Sequence, residues 1–127
     1  MSTPPKLYEI ILESGFKDVC YDPTKFNAVT ELWADMSFCN PPYKVKKPFV
    51  LKAIESFHHG SNVLLYLPLD PTTSWFSLLY INQPVIMVFM KRMGRAKFPT
   101  MLVYLNRRRE GKTVFLYDEK DVKNFIP

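Results

Sequence analysis

The chain has 127 residues, 47% of them hydrophobic and 15% aromatic, enough apolar mass for the core of one domain and too much for a disordered segment. No apolar run approaches a membrane span, the N-terminus lacks a secretory layout, and two cysteines, Cys20 and Cys39, exclude a disulfide framework and a four-cysteine zinc site. The net charge of +5 divides into −3 over 1–40, +9 over 41–112 and −1 over 113–127, so a basic centre of the kind that faces phosphate stands beside an acidic start.

Thr3 followed by Pro4 predicts a helix N-cap with proline in the first turn; Leu7, Ile10 and Ile11 keep helical spacing, and Gly15 stands where the C-cap belongs. Residues 16–21 predict a strand ending at Asp22-Pro23, and 24–35 an irregular connection. A short apolar strand over 36–39 stops at Asn40-Pro41-Pro42-Tyr43. Val45, Phe49, Ala53 and Phe57 then mark a helix with Pro48 in its first turn and Gly60 at its end. Residues 62–67 read as a strand covered on both faces. Asp70-Pro71 opens a helix whose apolar side is Trp75, Phe76, Leu78 and Leu79. Residues 84–90 and 100–106 are strand-like and joined by a basic link, 91–99, and 113–117 predict a last short strand. The alternation predicts a single α/β domain over 1–127 with parallel centre strands and an antiparallel C-terminal pair. Ligands bind such sheets at loops beyond the carboxyl ends of the strands, which singles out Asp22-Pro23, Asn40 to Tyr43 and Asp70.

Asn-Pro-Pro-Tyr at a strand end suits one chemistry. An amino group on a flat ring is a poor nucleophile because its lone pair is delocalised. Two acceptors receiving its two hydrogens draw the nitrogen toward tetrahedral geometry and free that pair. The Asn40 side-chain oxygen and the Pro41 carbonyl are such acceptors, and successive prolines hold the carbonyl outward. Tyr43 offers a face for stacking, as a base taken out of a duplex requires. The bland alternative is that Asn-Pro-Pro merely ends a strand; the loop position and the lysine-bearing helix behind it favour the functional reading.

From Thr3 to Leu105 the chain resembles the small phage-type adenine-N6 DNA methyltransferases, the phage Dam family. The resemblance rests on Thr3-Pro4-Pro5 with Leu7, Asp22-Pro23, Asn27-Ala28, Trp33, Asn40-Pro41-Pro42-Tyr43 with Lys52 and Glu55, Leu67-Pro68 with Asp70, Thr72, Trp75 and Phe76, and Arg95 with Lys97-Phe98-Pro99-Thr100. It implies a minimal Rossmann-like methyltransferase sheet with helices on its faces, S-adenosylmethionine as donor and adenine in DNA as acceptor, with no metal. By that resemblance Asn40, Pro41, Pro42 and Tyr43 bind and activate the amine, and Thr3, Pro4, Asp22, Pro23 and Asp70 line the cofactor. Lys44, Lys91, Arg92, Arg95, Lys97, Arg107, Arg108 and Arg109 are the cations assigned to DNA phosphates. The pattern departs from the larger methyltransferases in having Asp22-Pro23-Thr24 in place of a glycine-rich loop. Only eighteen positions separate Asp22 from Asn40, too few for two further βα units.

His58 and His59 precede Gly60 and read as helix-end cations rather than metal ligands. Cys20 and Cys39 read as small buried groups on adjacent strands rather than as a redox pair, because disulfides are rare inside cells. Arg107, Arg108 and Arg109 are expected at a hairpin tip before Glu110-Gly111. The expected setting is the cytoplasm, the host's if the protein is viral, without a membrane, and a homodimer completing the site is compatible with so small a chain. Two rivals remain open: transfer to RNA or to a protein amide, and a non-catalytic nucleic-acid-binding protein with a reduced methyltransferase fold.

Overall fold

A computed structural model describes residues 2–127. In chain order the elements are α1 (Pro5–Glu13), β1 (Lys17–Asp18), β2 (Ser37–Cys39), α2 (Lys47–His58), β3 (Val63–Pro68), α3 (Ser74–Tyr80), β4 (Val85–Phe89), β5 (Thr100–Leu105), β6 (Lys112–Leu116) and a closing 3-10 helix, Glu119–Asn124. The six strands make one sheet in the order β1-β2-β3-β5-β4-β6. β1, β2 and β3 run parallel, β5 is antiparallel to both β3 and β4, and β6 runs parallel to β4. The carboxyl ends of β1, β2, β3, β4 and β6 therefore share one edge of the sheet, and the carboxyl end of β5 lies on the opposite edge.

Apolar side chains on both faces of the strands dictate the two layers. Val63, Leu65 and Leu67 of β3 join Val50, Ala53, Phe57, Trp75 and Leu79 of α2 and α3 in one cluster. Leu64 and Tyr66 of the same strand join Leu7, Ile10 and Ile11 of α1, with Val122 of the 3-10 helix, in the other. Period-2 alternation thus feeds helices on both faces, which is why β3 reads as a continuous apolar run. Burial of each valine, leucine, isoleucine or phenylalanine among them stabilises the fold by about 1.5–3 kcal/mol. Gly60 follows α2 at φ +110°, a conformation that a side chain would strain. The mixed sheet flanked by helices is compatible with a minimal Rossmann-like fold.

The irregular connection predicted over 24–35 is fastened to α2. Ser56 Oγ accepts the Trp33 N–H (2.9 Å) and donates to the Lys52 carbonyl (2.8 Å), while the Trp33 indole N–H donates to the Ala28 carbonyl (2.8 Å).

Five expectations are corrected. The strand predicted over 16–21 is only Lys17–Asp18, because the Asp18 carboxylate accepts the Cys20 N–H (2.9 Å) and turns the chain away from the ladder. Pro4, not Thr3, is the N-cap residue of α1, and no side chain caps that helix. α3 starts at Ser74 instead of Asp70-Pro71, because Asp70 closes a turn of its own. Arg107 to Arg109 do not tip a hairpin, since β4 lies between β5 and β6 and the chain crosses past it. Cys20 and Cys39 are not separate thiols but a disulfide, with Cα atoms 5.3 Å apart.

Candidate active site

Loops leave the shared carboxyl edge after β1, β2, β3 and β4, the chain leaves it after β6 toward the closing 3-10 helix, and the start of α1 joins them. Asn40 follows β2 directly, and its amide nitrogen donates to Thr3 Oγ1 (3.1 Å). The hydroxyl expected to cap α1 therefore orients the Asn40 amide instead. Pro41 is buried, whereas Pro42 and Tyr43 are exposed, so the motif is rooted in the fold by its first half and open at its second.

Tyr43 is flanked by two further groups. Phe98, from the link after β4, lies against its ring with centroids 5.6 Å apart and planes 28° apart. Lys46 Nζ stands 4.2 Å from the ring centroid and also donates to the Tyr43 carbonyl. Burial lowers the Lys46 ammonium below its usual pKa. The β4–β5 link is tied down at three points: Met93 and Ala96 are buried, Leu69 donates its N–H to the Pro99 carbonyl (2.9 Å), and Gly94 at φ +55° lies so close to Pro4 that a Cβ there would stand 3.3 Å from Pro4 Cγ. Lys91, Arg92, Arg95 and Lys97 are exposed along this link, on the same edge as Asn40, and Lys44 is exposed beside Tyr43.

Asp22 and Asp70 adopt one local design. Each precedes Pro-Thr, and one carboxylate oxygen accepts from both the N–H and the hydroxyl of that threonine: Thr24 at 3.0 and 2.6 Å on Asp22, Thr72 at 3.0 and 2.5 Å on Asp70. The Thr72 bonds hold the Asp70 carboxyl below the usual carboxylate range. Both loops are thus pre-shaped by their own acid. Asp70 is exposed and Asp22 half-buried.

Asp18 is an organiser that periodicity and motif did not reveal. One oxygen accepts the Cys20 N–H, the other accepts the Tyr8 hydroxyl (2.9 Å) from α1. Burial and the adjacent carboxylate push the Tyr8 phenol up to about 12. The Cys20–Cys39 bond then joins the loop carrying Asp22 to the last residue of β2, next to Asn40. Phe98 lies in the Lys97-Phe98-Pro99-Thr100 motif, but its contact with Tyr43 follows only from the path of the β4–β5 link.

Arg107, Arg108 and Arg109 stand apart from this assembly. They follow β5 and occupy the opposite edge, where Arg107 donates its N–H to Asn62 Oδ1 (3.0 Å) and the Arg109 guanidinium donates to Asn82 Oδ1 (3.2 Å) and lies 5.2 Å from the Phe57 ring centroid. His58 meets Asn82 there as well, at 2.8 Å. Among the described residues no group of three or more His, Cys, Asp or Glu is placed to hold a metal, and no helix is long and apolar enough to cross a membrane.

A family model described as DNA N-6-adenine-methyltransferase (Dam) matches residues 18–117. The DNA N-6-adenine-methyltransferase of Escherichia phage T1 is 45% identical over 38 residues, 30% of this chain and 16% of that protein. That of Haemophilus phage HP1 (strain HP1c1) is 39% identical over 59 residues, 44% of this chain and 34% of that protein. The chain therefore matches well under two thirds of the length of either phage protein. No solved structure matches it.

Proposed function

The chain belongs to the DNA N-6-adenine-methyltransferase (Dam) family, and from that premise we propose that it acts as one methyltransferase-like domain, transferring a methyl group from S-adenosylmethionine to the N6 amine of adenine in DNA. The observation that carries the reading is the hydrogen bond between Thr3 and Asn40: the segment assigned to the cofactor and the motif assigned to the amine meet at the carboxyl edge of the sheet. In this reading Asn40 Oδ1 and the Pro41 carbonyl accept the two N6 hydrogens, which frees the nitrogen lone pair for attack. Tyr43 stacks on the extruded base, displacing Phe98 or Lys46 from its ring. Lys44, Lys91, Arg92, Arg95 and Lys97 hold the flanking phosphates and fix the register of the duplex.

S-adenosylmethionine, when bound, supplies an electrophilic methyl on a sulfonium. The donor set fits it: a hydroxyl at Thr3, a carboxylate at Asp22 and the exposed ring of Tyr21 suit a cationic, nucleoside-bearing molecule. Catalysis by these residues is alignment of the amine with the methyl group, with no covalent intermediate on the protein.

Labelled methyl transfer to DNA, RNA and protein, compared side by side, tests the reading. Label is expected in DNA adenine, and Asn40→Ala should lower transfer by about 100-fold, as loss of one aimed hydrogen-bonding group does, with little change in the unfolding midpoint. Undiminished transfer by that variant, or label confined to RNA or protein, would contradict it.

A further inference from the structure

The disulfide stands beside the shortest ladder of the sheet, between the loop after β1 and the end of β2. Cys39 is fully buried at the end of β2, and Cys20 is half-buried two residues before Asp22. The ladder between β1 and β2 consists of two register pairs, Lys17 with Ser37 and Asp18 with Phe38, extended by one N–H from Val19 to the Phe38 carbonyl (2.9 Å). Beyond that point the Cys20–Cys39 bond fastens the start of the loop after β1 to β2, while Ala28 and Trp33 farther along are held in the core and by α2. The bond closes a segment of sequence separation 19 that includes Asp22 and ends against Asn40. The Cα separation of 5.3 Å lies within the ordinary range for a disulfide, so bond formation requires no rearrangement of the strands. If the substrate is DNA inside a cell, the surroundings are reducing, and protein disulfides there are transient, catalytic or redox-sensing rather than structural.

We propose that Cys20 and Cys39 are a reversible thiol–disulfide pair that locks the β1 loop against Asn40, and that its reduction releases the loop and weakens cofactor binding. The second half of this statement rests on the function proposed above. The chemistry balances with a small-molecule thiol as reductant. Its thiolate attacks the more accessible sulfur, Cys20 Sγ, giving a mixed disulfide and releasing the Cys39 thiolate, which takes up a proton. A second thiol molecule then attacks the mixed disulfide, leaving Cys20 as thiol and the reductant as its own disulfide. Two electrons pass to the protein, and oxidation by a small-molecule disulfide such as oxidised glutathione reverses each step.

The experiment uses the wild-type chain equilibrated in glutathione buffers of graded poise. Three quantities are read: the cysteine pairing by mass, the rate of trypsin cleavage after the exposed Lys25, and S-adenosylmethionine affinity by calorimetry. Reduction is expected to speed cleavage at Lys25 by about tenfold, as release of a locally closed segment does, and to weaken cofactor binding by about tenfold through lost preorganisation. The Cys20→Ala/Cys39→Ala double variant should match the reduced protein and ignore the buffer, and Cys39→Ser should trap glutathione on Cys20. Absence of the bond in oxidising buffer, or identical cleavage and affinity in both redox states, would overturn the proposal. Redox-dependent cleavage at Lys25 with no cofactor binding in either state would keep the lock and defeat the methyltransferase reading instead.

Discussion

Asp18 and Tyr8 form the contact that joins α1 to the end of β1. The phenol donates to Asp18 Oδ2 at 2.9 Å, and the same carboxylate shapes the turn at Cys20. Burial and the carboxylate raise the Tyr8 pKa from 10.0 to about 12. The proton is thus held more tightly in the folded chain than in the unfolded one. Its stabilising contribution is complete below pH 10 and is lost as pH rises through about 12, because the unfolded state ionises first. Urea midpoints measured across that range should fall more steeply for the wild type than for Tyr8→Phe; parallel curves would show that the hydrogen bond contributes nothing to the pH dependence. The neighbouring disulfide illustrates why this corner is hard to read in one dimension. Two cysteines 19 apart carry no pairing information by themselves, and only the parallel register of Asp18 with Phe38 brings them together. Asn40 to Tyr43, by contrast, was legible, because proline fixes the backbone locally and the flanking strand and helix have clear periodicity.

Strand direction divides the basic residues into two groups that the charge count could not separate. The order of elements from α1 to β6 follows from periodicity, capping and turn residues, all of them local. Which strands are neighbours is a non-local matter, and the insertion of β5 between β3 and β4 reverses the end at which Arg107, Arg108 and Arg109 emerge. Lys91, Arg92, Arg95 and Lys97 follow β4 and share the edge of Asn40, while the arginine run lies a full strand length away. A duplex seated over Asn40 should therefore feel the first group and not the second. Replacing Lys91, Arg92, Arg95 and Lys97 together with alanine should weaken DNA binding and flatten the log–log salt slope by about 0.9 per lost phosphate contact. The triple Arg107→Ala, Arg108→Ala, Arg109→Ala variant should keep the wild-type slope. The reverse pattern, read by fluorescence anisotropy at several salt concentrations, would put the DNA on the other edge.

At the scale of the whole sheet, one side is thin. β3, β5 and β4 are long, paired on both sides and buried between helices, whereas the sheet ends at β1 with two residues. The acidic first third of the chain, at −3 over 1–40, supplies α1 and this thin side, and the basic middle, at +9 over 41–112, supplies α2, α3, the β4–β5 link and the central strands. The proposed amine-binding motif follows the three-residue β2, between β3 and the thin side, and the proposed cofactor loop follows β1, which Asp18 and a disulfide reinforce. Whether that thin side holds a cofactor decides between a methyltransferase and a DNA-binding protein with a reduced methyltransferase fold. Titration calorimetry of the oxidised chain with S-adenosylmethionine measures this directly. A saturable one-to-one isotherm in the micromolar range, lost on Asp22→Ala, is the expected result; salt-sensitive DNA binding with no heat from S-adenosylmethionine would contradict it.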